Sequence, residues 1–311
     1  MIKKKLIIIA GPTASGKTAI SIDLAKKIKG EIISADSMQV YKYMNVGTAK
    51  IKPDDMQGIK HYLIDVLHPK EDFNIVRFQG MVKSAMNEIY SRDKVPILVG
   101  GTGFYIQSIL YDIDFNEEED NSAIRESLEK EYDSMGADFM YEKLKKIDEV
   151  SAINIHRNNK KRIIRALEYF TVNNSPISLH NEEQRMKKSP YDFTFFVLSP
   201  KREILYQRIN NRVDGMIKEG LVKEVISLKE MGLSKDYISM QGIGYKEILM
   251  YLDGDISLNE AVDKIKLNTR HMAKRQVTWF KRENNIIIID PDKFENNEKT
   301  VEYMIERISN E

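Results

Sequence analysis

The chain has no cysteine and only five histidines among its 311 residues. The first absence removes disulfides, thiol nucleophiles and cysteine-ligated zinc together, and the second leaves little from which to build a histidine metal centre. No apolar run approaches the roughly 20 residues that a membrane-spanning helix needs. Met1-Ile2-Lys3-Lys4-Lys5 has the look of a secretory leader's basic start, but the apolar stretch behind it ends at Gly11. Neither a leader nor a membrane anchor is expected, and a cytoplasmic location is. Net charge is missing too, since 48 Lys and Arg stand against 47 Asp and Glu for a balance of +1. That excludes a uniformly basic nucleic-acid binder, so any contact with a polyanion must come from local patches.

What is present is a core. Hydrophobic residues make up 42% of the chain, enough for one large domain or a domain carrying an insertion. The run Gly11-Pro12-Thr13-Ala14-Ser15-Gly16-Lys17-Thr18 follows the apolar stretch Leu6–Ala10. It precedes a helical pattern in which Ile20, Leu24 and Ile28 recur at four-residue spacing. Strand, glycine-bounded turn and helix in this order make a phosphate cradle: backbone N–H groups turn inward and the helix adds its positive end. Lys17 is expected on the terminal phosphate oxygens and the Thr18 hydroxyl on Mg²⁺. The loop implies a diphosphate or polyphosphate without choosing between them.

Strand-like stretches at Leu6–Ala10, Glu31–Ala35, Val95–Val99, Phe193–Leu198 and Ile286–Ile289 alternate with helical ones. This predicts an α/β fold, a P-loop NTPase-like parallel sheet flanked by helices. Ligands of such sheets bind beyond the carboxyl ends of the strands. The phosphate loop, the turn Asp36-Ser37-Met38-Gln39 and the turn Gly100-Gly101-Thr102-Gly103 are therefore expected around one site. Beyond Tyr111 the pattern becomes helical to about Thr171. It opens with the acidic run Asn116-Glu117-Glu118-Glu119-Asp120, and Asn173-Asn174-Ser175-Pro176 and Lys187-Lys188-Ser189-Pro190 punctuate the return. The prediction is a helical insertion domain, 115–191, inside a catalytic core of 1–114 and 192–311. Further helices are expected at Arg202–Lys218, Leu221–Met231 and Leu258–Lys281, with Gly220 and Gly232 as stops.

A nucleotide hydrolase normally ends a second apolar strand in a carboxylate that holds Mg²⁺ and polarises water. Here Pro96-Ile97-Leu98-Val99 runs into Gly100-Gly101-Thr102, and Asp36 is the early strand-end carboxylate. Asp36 is a metal ligand, a general base or a helix cap. Arg208 and Arg212 share a helix face and suit a clamp on a diphosphate, although two solvated arginines fit the spacing equally. Two cationic stretches contain no acid, Arg157 to Arg165 and Arg270 to Arg282; each is a solvated face or a track for RNA phosphates. The turn Gln241-Gly242-Ile243-Gly244-Tyr245 is a plain loop or a surface that packs on a ligand. Trp279 and Phe280 are expected in the core.

GPTASGKT (Gly11–Thr18), ISADSMQVY (Ile33–Tyr41), NVGTAK (Asn45–Lys50), ILVGGTGFY (Ile97–Tyr105), KKRIIRALE (Lys160–Glu168), QGIGYKE (Gln241–Glu247) and AKRQVTWFK (Ala273–Lys281) follow one another along the chain. In these pieces and their order the sequence resembles the tRNA dimethylallyltransferases over most of its length. The resemblance implies transfer of a dimethylallyl group from dimethylallyl diphosphate to N6 of adenosine 37, directly 3′ of the anticodon, in tRNAs reading codons that begin with U. It implies catalytic roles for Asp36, Lys17, Thr102 and Arg212. Diphosphate or nucleotide binding, ATP included, falls to Gly11, Pro12, Thr13, Ala14, Ser15, Gly16, Lys17 and Thr18, with Mg²⁺ at Thr18. Contacts with tRNA are implied for Asp36, Ser37, Met38, Gln39 and Thr102, and for Arg125, Lys161, Arg162, Ile163, Ile164 and Arg165. They are implied also for Gln241, Gly242, Gly244, Tyr245, Arg270, Lys274, Arg275 and Lys281. The insertion is expected to grip the anticodon stem-loop, and a monomer is the simplest expectation. A P-loop small-molecule kinase and an isopentenyltransferase acting on free adenine nucleotides remain as alternatives.

Overall fold

Leu6 to Ala10 contain no polar side chain, and all five are fully buried in the first strand, β1 (Lys4–Ala10). A continuous apolar run of this kind suits a parallel sheet covered on both faces. The computed structural model describes residues 3–115 and 122–309, so the acidic run at 116–120 lies outside the described residues. The chain divides into two units, Met1–Leu110 with Pro190–Glu311, and Tyr111–Ser189.

In the first unit β1 is joined by β2 (Gly30–Ala35), β3 (His61–Tyr62), β4 (Val95–Gly100), β5 (Tyr191–Leu198) and β6 (Ile287–Ile289). The described residues form one six-stranded sheet in the order β3-β2-β4-β1-β5-β6, parallel at every pairing. The predicted α/β sheet is therefore present, with strand ends within one or two residues of those read from the sequence. The edge strand β3 is new. Two residues are too few to carry a period-2 signal.

Three helices follow early strands: α1 (Lys17–Ile28), α2 (Ile75–Tyr90) and α3 (Gly103–Leu110). The second unit holds α4 (Ser122–Ile147, broken by non-helical backbone at Gly136), α5 (Glu149–Asn154), α6 (Lys160–Asn173) and α7 (Ile177–Met186). These enclose their own core, which includes Leu128, Met140, Leu144, Ile163, Ile164 and Leu167. α7 falls where the sequence suggested only a punctuated return. Back in the first unit come α8 (Arg202–Lys218), α9 (Leu221–Glu230), α10 (Tyr245–Leu252), α11 (Leu258–Phe280) and α12 (Asn297–Ser309). Among the described residues no helix is long and apolar enough to cross a membrane.

Register is what builds the site. Gly100 is paired with Ala10 of β1 on one side and with Ala35 of β2 on the other, so three strands end level. Gly100 is obligatory at this junction, because a Cβ there would lie 2.3 Å from the Ala35 carbonyl oxygen. The turns after these strands consequently emerge side by side at the carboxyl edge of the sheet.

Candidate active site

The phosphate loop wraps the start of α1. Gly11 has φ +148°, and a Cβ on it would sit 2.5 Å from the Leu198 carbonyl oxygen; Gly16 has φ +91° at the helix N-cap. No side chain caps α1 and its first turn carries no acid. Its first N–H groups are thus left for an anion, and the positive helix end favours one. Lys17 folds over the loop, its Nζ donating to the carbonyl oxygens of Gly11 at 3.0 Å and Pro12 at 2.6 Å. Burial pushes its ammonium down to about 7; the Arg212 guanidinium acts in the same direction and the Asp36 carboxylate opposes both.

Asp36 follows the last residue of β2. Its Oδ1 accepts from the N–H groups of Met38 at 2.8 Å and Gln39 at 3.2 Å, which fixes the turn and keeps Oδ2 available. Arg212, half-buried on α8, is held below its ordinary range by burial, with Asp36 again opposing. Thr102 opens α3, its carbonyl accepting from Tyr105 N–H at 3.0 Å and Ile106 N–H at 3.2 Å. The Tyr105 hydroxyl is pushed up to about 12 by burial and by the Asp36 charge. Lys17, Asp36 and Arg212 therefore feel one another's charge, with the Thr102 turn between the phosphate loop and the Asp36 turn.

Arg208 belongs elsewhere: it pairs with Asp292 at 2.6 Å, so the proposed arginine pair reduces to Arg212. Arg212 donates to the Thr48 carbonyl at 3.4 Å, which also receives Gln39 Nε2 at 3.3 Å. The loop carrying Thr48 is held by Glu224 of α9. That carboxylate accepts from Asn45, Val46 and Gly47 N–H at 2.8, 2.7 and 3.0 Å, and from the Tyr245 hydroxyl at 2.7 Å. Tyr245 is 1% exposed, so it is a packing residue and not a ligand-facing aromatic. Its ring occupies the space a side chain at Gly47 would need. Burial and Glu224 push its hydroxyl far up. Gly242 approaches Met38 so closely that a Cβ would lie 2.6 Å from its terminal methyl. This sets exposed Gln241 beside the Asp36–Gln39 turn, while Gly244 (φ +100°) starts α10.

Gln276 of α11 links two turns of the site. Its Oε1 accepts from Thr13 N–H at 3.0 Å and its Nε2 donates to the Gly101 carbonyl at 3.0 Å. Neither Glu224 nor Gln276 announced itself in the sequence, because an isolated Glu or Gln on a helix has no distinguishing period or charge run.

The sequence profile of the IPP transferase family matches residues 39–283. The chain belongs to the IPP transferase family. It is 57% identical over 282 residues to a tRNA dimethylallyltransferase of Lachnoclostridium phytofermentans, covering 91% of this chain and 90% of that relative. It is 49% identical over 296 residues to one of Acetivibrio thermocellus, covering 95% of each. A solved tRNA delta(2)-isopentenylpyrophosphate transferase of Staphylococcus epidermidis superposes with a TM-score of 0.73 at 42% identity, covering 99% of both chains. A eukaryotic dimethylallyltransferase described as acting on tRNA superposes with a TM-score of 0.82 at 31% identity, covering 99% of this chain and 80% of that one.

In this IPP transferase the cations of 157–165 are fewer than they read. Arg157 lies 3.1 Å from Asp138, and Lys160 pairs with Asp133. Arg165 and Arg125 both reach the buried Glu168, at 3.4 and 2.9 Å. Ile163 and Ile164 are 0% and 4% exposed in the core of the second unit, which removes their side chains as RNA contacts. Lys161 and Arg162 stay exposed, with no ion pair among the described residues. On α11, Arg270 turns to Asn210 of α8 at 2.7 Å, while Lys274, Arg275 and Lys281 are exposed. Phe280 is buried, as expected, and Trp279 packs where a side chain at Gly103 would have to be. Lys274 and Lys281 also flank a cleft of about 380 Å³ with Arg202 and Tyr206.

A divalent cation fits the donors present only in a particular manner. Among the described residues no group of three or more acids or histidines could cage one. Exposed Thr18 and the second oxygen of Asp36 are hard oxygen donors beside the cradle. That suits Mg²⁺, which keeps much of its water and leans on substrate phosphates.

Proposed function

We propose that this chain transfers the dimethylallyl group of dimethylallyl diphosphate to N6 of adenosine 37 in tRNAs that read codons beginning with U, releasing diphosphate. The observation carrying this reading is the level ending of β1, β2 and β4. It gathers a diphosphate cradle with Lys17 and one carboxylate, without a second carboxylate at the end of β4, and α8 adds Arg212. Such a site suits a displacement that releases diphosphate and needs no activated water. The names of the relatives and of the solved eukaryotic enzyme support tRNA as acceptor.

In the reaction the allylic C1–O bond breaks, the N6–C1 bond forms, and N6 loses a proton. Asp36 is the acceptor for that proton, with its orientation fixed through the two N–H groups that hold Oδ1. Lys17, Arg212 and the open N–H groups of α1 take up the negative charge growing on the departing diphosphate. Mg²⁺, held by Thr18 and the donor's phosphates, would supply further charge neutralisation when bound. Thr102 and the turns at 36–39 and 241–242 surround the adenosine, which must leave its stack to be reached. Lys161, Arg162, Lys274, Arg275 and Lys281 follow the RNA backbone. The protein works as a monomer in the cytoplasm, and ATP competes for the cradle without being hydrolysed.

The test is transfer of labelled dimethylallyl diphosphate, with Mg²⁺, to unmodified tRNA, AMP and ATP offered in parallel. Label confined to the tRNA adenosine beside the anticodon supports the proposal. Label in AMP or ATP reassigns the acceptor to free nucleotides. No label, with ATP consumed when small hydroxyl compounds are supplied, points to a kinase.

A further inference from the structure

The outer side of α11 presents exposed Lys274, Arg275 and Lys281, and between them one half-buried amide, Gln276, turns inward. Its two ends serve different parts of the site. Oε1 holds Thr13 of the phosphate loop and Nε2 holds Gly101, the residue before Thr102, each at 3.0 Å. The fit is tight, since a Cβ on Gly101 would lie 2.3 Å from Nε2 and 3.2 Å from the Gly11 carbonyl oxygen. One turn further along α11, Trp279 fills the space beside Gly103, where a Cβ would lie 2.2 Å from its ring. α11 therefore grips the Gly101–Gly103 turn at two points and the phosphate loop at one.

We propose that Gln276 is a positioning residue that couples RNA engagement on α11 to the diphosphate cradle and the Thr102 turn. The carboxamide carries a donor and an acceptor on one flat group, so it satisfies the Thr13 N–H and the Gly101 carbonyl together. A shift of α11 under bound RNA moves Gln276, and with it both turns. Donor and RNA affinities are then linked, and the linkage acts equally in both directions. This inference rests on the tRNA reading of α11 given above.

The experiment titrates inorganic diphosphate into the wild-type protein and Gln276→Met, each with and without an anticodon stem-loop RNA. Wild-type protein is expected to change its diphosphate affinity several-fold when RNA is bound. Gln276→Met is expected to lose that change and to bind diphosphate about tenfold more weakly, as fits the loss of two hydrogen bonds. Its affinity for RNA alone stays within about twofold of wild type. Gly101→Ala, whose methyl displaces the amide, gives the same loss, and the double variant Gly101→Ala/Gln276→Met is no worse than either single one. It also serves as the second probe if Gln276→Met folds poorly. A merely structural role lowers the melting temperature but leaves the coupling factor intact. Equal coupling in wild type and variant overturns the proposal, and so does a wild type without coupling. Absence of label in tRNA in the transfer assay refutes the functional reading separately, while the diphosphate titration without RNA still tests the link from Gln276 to the loop.

Discussion

Removing the Glu224 carboxylate should release the loop that positions Arg212. Glu224→Ala deletes four hydrogen bonds at once, three from consecutive N–H groups and one from the Tyr245 hydroxyl. Bonds to an ionised acceptor contribute roughly 1.5–3 kcal/mol each. Asn45 is exposed and its N–H regains water, whereas Tyr245 is 1% exposed and its hydroxyl does not. The expected loss is about 3–5 kcal/mol, a large part of the roughly 5–15 kcal/mol that holds a typical domain. Tyr245→Phe removes one of the four bonds and should cost roughly 1.5–3 kcal/mol. Urea unfolding measures the global change, and amide exchange at Asn45, Val46 and Gly47 reads the loop directly. Turnover should fall with the loop, because Thr48 then no longer holds Arg212 and Gln39. The reasoning fails if Glu224→Ala loses less than about 1 kcal/mol with unchanged exchange at all three amides, or if Tyr245→Phe costs as much as Glu224→Ala.

Asp36→Ala is expected to reduce turnover by at least about a hundredfold, the range of general-base catalysis, while tRNA affinity stays within a few-fold; near-wild-type turnover would remove Asp36 as the base. Lys161→Ala with Arg162→Ala should weaken tRNA binding and lower the slope of log affinity against log salt by about 1.5, whereas Arg165→Ala should act mainly on stability by leaving buried Glu168 with one partner fewer. Diphosphate affinity should fall about tenfold per pH unit above 7. The free Lys17, at about 7 against an ordinary 10.5, must there take up a proton to bind an anion as an ammonium. The same depressed value makes the unfolded chain the better proton binder between 7 and 10.5, so the Lys17 contribution to stability rises with pH across that window. Lys17→Arg should flatten the binding profile, and calorimetry in buffers of different ionisation enthalpy should show the proton uptake vanish.

The sheet was legible because β1, β2, β4 and β5 are apolar runs bounded by turn residues, and the cradle because its glycines are required by the backbone itself. The short β3 was not, nor was α7, which lies within a stretch read as return loop. Charge was misleading in one dimension. The segment 157–165 has no acid in sequence, yet α4 supplies Asp133 and Asp138 across space, and Glu168, three residues beyond Arg165, is buried beneath two arginines. Arg208 and Arg212 share a helical face by spacing, but Asp292, eighty-four positions from Arg208, draws that side chain away. Long-range pairings of this kind leave no periodicity. For the same reason Glu224 and Gln276, each holding loops from distant parts of the chain, were invisible until the fold brought their partners together.

The electrostatic state of the centre supports the proposed chemistry from a direction that motifs do not. Lys17 and Arg212 are both held below their ordinary ranges, chiefly by burial, and Asp36 offsets this only in part. Two like charges that lower each other's proton affinity in a partly buried site repel one another, and the carbonyl oxygens they reach carry no full negative charge. A diphosphate relieves both at once, and it relieves them more as the allylic bond breaks and negative charge accumulates on the leaving oxygen. Interactions that strengthen toward the transition state accelerate a reaction, whereas uniform binding does not. The same two cations would do less for a hydrolase, whose difficulty lies in activating water, and the glycine-ended β4 offers no carboxylate for that task. An arrangement of two mutually repelling cations is one that a leaving diphosphate, gaining charge as the bond breaks, would stabilise increasingly along the reaction.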